Sequence, residues 1–565
     1  MFIRAKKRDD KIYLQIVENE RIGNKVVQHV KATLGRLDLL QASGRLEALL
    51  RSGIRFCNRL IVLDAHAKGE CTSTKKRKIG PPLLFERLWN ECGIKAVLGS
   101  YLKDRKFSFS VERAIFVTVV HRLICSGSDR AAEKWMQDYS WKGVHGSIAL
   151  HHFYRAMGWL GTELPESAQM DSTGLSPRCI KDDIEEGLFA LRQTLFTQLS
   201  LVFLDTTSLY FEGNGGETLG CRGNNKDGRS DAKQIIVAVV LDEKGNPLCS
   251  EILPGNTQDV TTLLPVAQRL KRRFGIERVC IVADRGMISA ATMEKLETMG
   301  WMYILGARMR KVIEVRDEVL SRGGRFHEVF PERECSLDPA PLAVKEVKVD
   351  TKRYVVCRNA EEARKDRYDR EAIVLALKEQ LKHGDKSLVG NKGYRRYLKA
   401  NKEGFSIDEE KIRGDERFDG KWVLRTNTDL PTEEVALQYK QLWTVEDIFR
   451  TMKSTLETRP IFHHHDDTIR GHVFCSFLAL VLRKALHDKI TGKNWKLEWN
   501  DVIRDIDQVE EIVVTHQGKC FVIRTEATGV AGKAFQAAGV ALPPVLREME
   551  NRGTTPEESS QHIDL

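Results

Sequence analysis

Apolar residues in the middle of the chain form short runs that predict the strands of one sheet. The strand-like segments are LVFLD with its extension TTSLYF (201–211), KQIIVAVVLD (233–242) and PLCSEILPG (247–255). They are followed by helix-like DVTTLLPVAQRLKRRFG (259–275), strand-like RVCIVAD (278–284) and helix-like SAATMEKLETMG. Three antiparallel-type strands followed by helix, strand and helix predict an α/β unit with a mixed sheet.

Other parts of the chain have different periodicities, which predict separate units. Residues 11–35 contain two extended runs around the turn-like NERIGN, and this predicts a β-hairpin. From Pro82 to about Gln198 the apolar spacing is helical, with Ser110 as the N-cap of one helix. The two helices around residues 126–129 are either a helix-turn-helix reader of DNA or, as we favour, a plain helix pair.

Charged segments lie between these units. Residues 75–78 (KKRK) precede a Gly-Pro-Pro breaker, which favours a solvated linker over a DNA-contacting arm. The interval 311–427 contains alternating segments such as EVKVDTKRYVVCR, which predict short strands. Its stretch EEARKDRYDREAIVLALKEQLK predicts an exposed helix with many ion pairs, in preference to a DNA-binding patch.

Composition narrows the class of protein. The 565 residues are 42% hydrophobic and 30% charged, which is typical of a soluble protein with several cores. The formal net charge of +10 is compatible with a polyanionic partner. The 12 cysteines show no CxxC pair or zinc spacing and no signal-peptide core is present, so we expect reduced thiols in the cytoplasm. The apolar run 473–482 is far shorter than the about 20 residues of a membrane helix.

Three acidic residues carry the candidate chemistry. Asp205 closes LVFLD, Asp284 closes VCIVAD, and Glu446 lies in helix-like EVALQYKQLWTVEDIFRTMKSTL (434–456). Carboxylate oxygens suit Mg²⁺ or Mn²⁺, and two ions about 3.5–4 Å apart can act together at one phosphodiester. We expect the two strand-end aspartates to face one groove, which predicts cleavage or transfer of nucleic-acid strands.

The helix of the third acid shows a further pattern. Tyr439, Glu446 and Lys453 recur at seven-residue steps, which keeps the three side chains on nearly one face of a continuous helix. An ordinary amphipathic helix with solvated charges has the same recurrence. The pattern therefore indicates a catalytic helix only in combination with Asp205 and Asp284.

With these residues the chain resembles the insertion-sequence DDE transposases. The subgroup it resembles carries Tyr, Arg, Glu and Lys at fixed spacing on the third-acid helix. Tyr439, Glu446 and Lys453 match that signature, whereas Leu442 stands at the position of the Arg. The resemblance extends over roughly residues 195–490, including PGNTQD and RPIFHHHDDTIRGHVFCSFLAL.

The resemblance implies the fold class: α/β, with a ribonuclease H-like catalytic domain that has a β-rich insertion and follows a small β unit and a helical domain. The expected domains are 1–80 (β-hairpin unit and basic linker), 81–198 (helical, DNA-binding), 199–310 and 428–490 (the two parts of the catalytic core), 311–427 (insertion) and 491–565 (C-terminal extension that adds dimer contacts or caps the sheet).

The resemblance also implies a cut-and-paste transposase that binds the terminal inverted repeats of its element. Asp205, Asp284 and Glu446 are the expected catalytic residues and ligands of two Mg²⁺ ions, with Asp205 bridging both and Mn²⁺ able to substitute. The expected partners are element-end DNA, target DNA and a second copy in a homodimer, without a membrane or a nucleotide cofactor. The expected location is the bacterial cytoplasm, at the nucleoid.

Leu442 cannot contact a phosphate as the signature Arg would, so other cationic residues must bind the DNA backbone. The expected DNA-binding residues are Tyr439, Lys453, Arg450, Trp443 and Lys440, with Arg459 as a further substitute for the Arg. Trp443 and Trp301 are candidates for holding a displaced base, although a core position is the commoner role of such aromatics.

Several other motifs carry less weight. The run HHHDD (463–467) has metal-ligating side chains, but consecutive side chains diverge, so a loop or helix entry is favoured. GNGGE (213–217) lacks the context of a nucleotide-binding loop. Two alternative functions stay open: a decayed relative that binds DNA without cutting it, and a ribonuclease H-like nuclease that acts on hybrid or structured nucleic acid.

Overall fold

The computed structural model describes residues 2–22, 25–54, 62, 65–66, 69, 72–144, 148–171, 176–192, 201–213, 215–223, 229, 231–275, 280–287, 289–333, 338–382, 394–401, 404–516 and 519–549.

Within these ranges, the strands are β1 (Phe2–Arg8), β2 (Lys11–Ile22), β3 (Lys25–Arg36), β4 (Thr72–Lys78), β5 (Leu201–Tyr210), β6 (Gln234–Asp242), β7 (Pro247–Pro254), β8 (Cys280–Ala283), β9 (Met302–Gly306), β10 (His327–Phe330), β11 (Leu342–Val349), β12 (Lys352–Arg358), β13 (Leu398–Asn401), β14 (Gly404–Ile407), β15 (Lys421–Thr426), β16 (Glu510–His516), β17 (Lys519–Arg524) and β18 (Leu546–Glu548).

The helices in the same ranges are α1 (Leu37–Ala42), α2 (Arg45–Ile54), α3 (Gly80–Glu91), α4 (Ile94–Leu102), α5 (Val111–Ile124), α6 (Asp129–Trp135), α7 (Leu150–Gly161), α8 (Ile180–Arg192), α9 (Asp259–Phe274), α10 (Ala290–Thr298), α11 (Ala360–Lys382), α12 (Glu409–Glu416), α13 (Thr432–Lys440), α14 (Trp443–Arg450), α15 (Asp466–Thr491), α16 (Trp499–Asp507) and α17 (Ala531–Ala538). Two π-helical turns span Glu314–Val319 and Thr451–Thr455.

The chain divides into two compact units. The first comprises the described parts of residues 1–81, 138–140 and 497–565, and the second those of 82–137 and 141–496. In the first unit, β1, β2 and β3 form an antiparallel sheet, and β2 with β3 is the hairpin predicted around NERIGN. A second antiparallel sheet of this unit has the order β18–β17–β16–β4.

The basic segment before Gly-Pro-Pro belongs to that second sheet and is not the solvated linker that its composition indicates. Strand β4 pairs antiparallel with β16, so that Lys78 lies opposite Glu510. The Lys76 ammonium is 2.6 Å from the Glu510 carboxylate, and Lys78 binds Asp507. Acidic residues from the far end of the chain thus compensate the basic run, a contact that local composition does not reveal.

The second unit is built on one mixed sheet of nine strands. Their order is β10–β11–β12–β15–β9–β8–β5–β6–β7. β8 pairs parallel with both β5 and β9, and all other neighbours are antiparallel. Strands of the interval 311–427 therefore extend the central sheet, while β13 and β14 pair separately.

The apolar runs of the sequence form the main core of this unit. Leu204, Ala283 and Leu305, from three adjacent strands, pack with Leu263 and Val266 of α9. Trp301 is completely buried in the same cluster. This position settles its role as a core aromatic and removes it from the candidates for holding a displaced base.

The helical region has a buried centre. The Ser110 hydroxyl accepts a hydrogen bond from the Arg113 backbone N–H at 3.3 Å, which is the predicted N-cap of α5. Residues 473–482 lie inside α15 and are buried. No helix in the described part of the chain combines the length and apolar character needed to span a membrane.

A buried ionic cluster fixes α9 against α8 and β7. It contains three cations and three anions: Lys181, Asp182, Glu185, Glu251, Arg269 and Arg273. Arg273 lies 2.7 Å from Glu185 and 3.2 Å from Glu251, and Arg269 lies 2.9 Å from Asp182. Burial alone would raise the pKa of Asp182, but the neighbouring Lys181 and Arg273 lower it.

We expect Arg273→Ala to destabilise the second unit by about 3–5 kcal/mol, because it leaves buried carboxylates without their cation. Guanidinium unfolding followed by circular dichroism measures the change. Lys271→Ala is the matched control, since Lys271 is exposed on the same helix and its loss should cost less than about 0.5 kcal/mol. Equal stabilities of the two variants would contradict a structural role for the cluster.

Candidate metal centre and cleft

The first two candidate acids are brought together by one strand pairing. In the parallel pair β5/β8, Leu204 lies opposite Ala283. Asp205 and Asp284 each follow this pair by one residue, and neighbouring strands of a sheet are separated by about 4.8 Å. Because β8 ends at Ala283, Asp284 lies at the open end of its strand. The Asp205 carboxylate also accepts a hydrogen bond from the Thr206 backbone N–H at 2.7 Å.

The third acid reaches the same region from α14. Val445 and Phe449 are buried, and this apolar side holds the helix against β5. Glu446 lines a cleft of about 370 Å³ together with Asp205. The other residues that line this cleft are Thr206, Thr207, Phe449, Arg450, Lys453, Ser454 and Arg459. The cleft therefore combines two carboxylates with three cationic side chains.

Tyr439 connects Asp284 to this group. Its hydroxyl donates a hydrogen bond to Asp284 Oδ1 at 3.2 Å. Burial raises the pKa of Tyr439, and the negative charges of Asp284 and Asp205 raise it further. The phenol thus stays protonated and lies within electrostatic range of both aspartates.

Gly306 makes room for this tyrosine. A Cβ atom at Gly306 would clash with the Tyr439 hydroxyl oxygen and would lie 3.2 Å from the Arg285 backbone N. Any larger residue at the end of β9 would therefore displace the phenol from Asp284.

The donor set fits hard divalent cations. Asp205, Asp284 and Glu446 offer only carboxylate oxygens, which Mg²⁺ and Mn²⁺ prefer over nitrogen or sulfur. Asp205 shares the cleft with Glu446 and adjoins Asp284 in the sheet register. The residues present are thus compatible with an oxygen-ligated metal centre.

The helix predicted over residues 434–456 is interrupted. Helix α13 ends at Lys440, α14 begins at Trp443, and a π-helical turn follows at Thr451–Thr455. Tyr439 and Lys453 consequently lie on different helical segments from Glu446. Leu442 lies at the break and is only 8% exposed, so this position faces the protein interior.

The structure separates the predicted DNA-binding residues into two groups. Arg450 and Lys453 line the cleft, and Trp443 is 64% exposed on the helix of Glu446. Lys440 lies elsewhere: its ammonium donates to the Ala340 carbonyl at 3.3 Å, and burial lowers its pKa. The cleft thus contains two of the three cations that could replace the signature Arg, namely Arg450 and Arg459 but not Lys440.

The HHHDD run does not converge on one point. Asp466 accepts a hydrogen bond from the Thr218 backbone N–H at 3.0 Å. His463 instead lies 3.2 Å from both Asp129 and His472. Arg122 is 2.8 Å from the same nitrogen of His472, so a protein cation already occupies this cluster.

Sequence reasoning missed one acid beside the centre. The Thr206 hydroxyl donates to Asp259 at 2.7 Å, and Thr206 directly follows Asp205. Asp259 is the last residue of PGNTQD, a segment that was part of the resemblance. The signal that could have identified it is an acid at the start of the first helix after three strands.

Two family models match the chain. The transposase DDE domain matches residues 197–482, about half of the chain, and contains the three acids. The N-terminal domain of the IS1634 family transposases matches residues 3–68. No curated protein matches the chain. The mixed sheet is consistent with a ribonuclease H-like transposase domain.

We expect Gly306→Ala and Tyr439→Phe each to reduce Mg²⁺-dependent DNA cleavage about tenfold, because loss of a partner that orients a metal-binding carboxylate typically costs 10–100-fold. The double variant should lose little more than either single variant, since both remove the same hydrogen bond. Gly323→Ala, whose added Cβ would meet nothing within 4 Å, is the control. Fully additive losses would argue against a shared mechanism.

Proposed function

Because the chain belongs to the insertion-sequence DDE transposases, which are metal-dependent enzymes of DNA phosphoryl transfer, we propose that it binds the terminal inverted repeats of its own element and moves the element by cut-and-paste. The observation that carries this proposal is the cleft that Asp205 and Glu446 share with Arg450, Lys453 and Arg459. Carboxylates there suit divalent metal, and the cations suit the phosphates on either side of the reacting bond.

Asp205, Asp284 and Glu446 are the proposed catalytic residues and hold two Mg²⁺ ions, with Mn²⁺ as a substitute. Asp205 would contribute to both ion sites, and Asp284 and Glu446 to one each. When bound, the ions activate the attacking water or 3′-hydroxyl and stabilise the leaving oxygen. Tyr439 orients Asp284 through the hydroxyl that it donates to Oδ1.

The cationic residues hold the DNA strand in this proposal. Arg450 and Lys453 contact phosphates beside the reacting bond, and Arg459 supplies the charge that Leu442 lacks. Trp443 offers an exposed ring for a displaced base. Lys440 stays a predicted DNA contact that would require its ammonium to leave the Ala340 carbonyl.

The finer architecture and assembly are also part of the proposal. The ribonuclease H-like core consists of residues 199–310 and 428–490, and residues 311–427 are an insertion that lengthens its sheet. Residues 81–198 form a helical domain that contacts DNA. The protein acts as a homodimer that pairs two element ends and captures target DNA, at the nucleoid, where that substrate is found.

We expect Asp205→Asn, Asp284→Asn and Glu446→Gln each to abolish strand cleavage while end binding persists. Each change removes a carboxylate charge and keeps the side-chain shape, so metal binding fails and the DNA-contacting surface remains. The substrate is a plasmid that carries the gene with its native flanking DNA, and electrophoresis measures nicking and excision in Mg²⁺. Asp104→Asn, an exposed acid outside the residues that line the cleft, is the control. Cleavage by Asp284→Asn would refute the assignment.

Arg450→Gln and Lys453→Gln should weaken DNA binding and reduce its salt dependence. Each lost phosphate contact lowers the slope of log K against log salt by about 0.9 on duplex DNA. Fluorescence anisotropy with a labelled element end at several salt concentrations measures the slope. Lys271→Gln, an exposed cation on α9, should leave the slope unchanged. An unchanged slope for both cleft variants would remove them from the DNA interface.

A further inference from the structure

Asp259 is tied to the strand of the first acid. It is the first residue of α9, and its Oδ1 accepts the hydrogen bond from the Thr206 hydroxyl at 2.7 Å. The backbone N–H of the same Thr206 donates to Asp205 at 2.7 Å. One residue of β5 therefore contacts the carboxylates of both Asp205 and Asp259.

Asp259 also faces the second acid across Gly286. A Cβ atom on Gly286 would lie 3.7 Å from Asp259 Oδ2 and 3.8 Å from Asp284 Oδ2. The two carboxylates thus border one small space, which is open because residue 286 has no side chain. Asp284 presents its other oxygen, Oδ1, to Tyr439, so its two oxygens serve different neighbours.

Neighbouring residues fix the backbone around Gly286, and Gly286 lines a cavity large enough for part of a nucleic-acid strand. Arg308 donates to the backbone carbonyls of Arg285 and Gly286 at 3.0 and 3.1 Å, which fixes the turn after β8. Asp259 and Gly286 line a cavity of about 1070 Å³, and Arg222 and Lys311 are among its other lining residues. This cavity has room for a nucleotide-sized part of a polyanion.

We infer that Asp259 is a fourth carboxylate of the metal centre, which shares a divalent cation with Asp284 over Gly286. The two carboxylate oxygens flank the space above Gly286, and a cation placed there would offset the repulsion between two neighbouring negative charges. Mg²⁺ sites typically combine one or two carboxylates of the protein with phosphate oxygens of the substrate. The inference rests on the proposed function, because it adds a ligand to the same metal centre.

Binding of Mn²⁺ to the full chain tests this assignment, with free Mn²⁺ measured by electron paramagnetic resonance and without a cleavage readout. Asp259→Asn keeps an oxygen that can accept from Thr206 but loses the charge, so we expect about tenfold weaker binding. Asp104→Asn is the matched control, because it removes an exposed carboxylate that lines neither cavity, and it should bind Mn²⁺ like the wild type. Wild-type affinity of Asp259→Asn, or an equal loss in Asp104→Asn, would overturn the assignment.

A second measurement uses the unaltered protein and is independent of how variants fold. Fe²⁺ in place of Mg²⁺, with ascorbate and peroxide, cuts the backbone beside the bound ion. Cuts are expected near residue 259 as well as near 284, and cuts only near 205, 284 and 446 would overturn the inference.

The variant Asp284→Asn distinguishes failure of the proposed metal centre from failure of the fourth ligand. If Asp284→Asn binds Mn²⁺ like the wild type, the proposed metal centre itself fails. If Asp284→Asn loses Mn²⁺ affinity and Asp259→Asn does not, only the fourth ligand is rejected.

Discussion

The parallel pairing of β5 with β8 is the constraint on which the candidate centre depends. It sets Leu204 opposite Ala283, and Asp205 and Asp284 become neighbours only in that register. A slip of one residue would turn the side chains of β5 to the other face of the sheet. The register is fixed because Leu204 and Ala283 pack in one apolar cluster with α9, and a slip would move Leu204 out of it. A packing requirement of apolar residues therefore determines the position of the acids.

The buried ionic cluster gives α9 a fixed rotation relative to this sheet. Asp259, Val266 and Arg273 are separated by seven-residue steps and share one face of the helix. Arg273 contacts Glu185 and Glu251 at hydrogen-bond distance, and turning the helix would break both contacts. Unpaired buried charges destabilise a protein, so the contacts of Arg273 are kept. These contacts at the C-terminal end of α9 therefore fix the position of Asp259 at its N-terminal end. The buried ionic cluster thus contributes both to the stability of the fold and to the position of Asp259.

The sequence predicts the parts of this molecule that local chemistry determines. The apolar runs that end in Asp205 and Asp284 and the N-cap at Ser110 appear in the structure as the sequence indicates. The pairing of β4 with β16 could not be predicted, because Lys76 meets Glu510 only after the two ends of the chain fold together. The additional acid Asp259 was missed for a similar reason. Its proposed role rests on Thr206 and Gly286, which are distant from it in sequence and adjacent to it in space.

The break between α13 and α14 explains how the chain differs from the expected signature. A seven-residue recurrence describes one face only if the helix is continuous, and here it is interrupted beside Leu442. Leu442 is buried at the break, so an Arg at this position would have to place its charge in the interior or move the helix. The same break leaves Tyr439 directed at Asp284 while Glu446 and Lys453 line the cleft. Under the proposed function, the positive charge on the DNA side must therefore come from residues after Glu446, where Arg450, Lys453 and Arg459 lie.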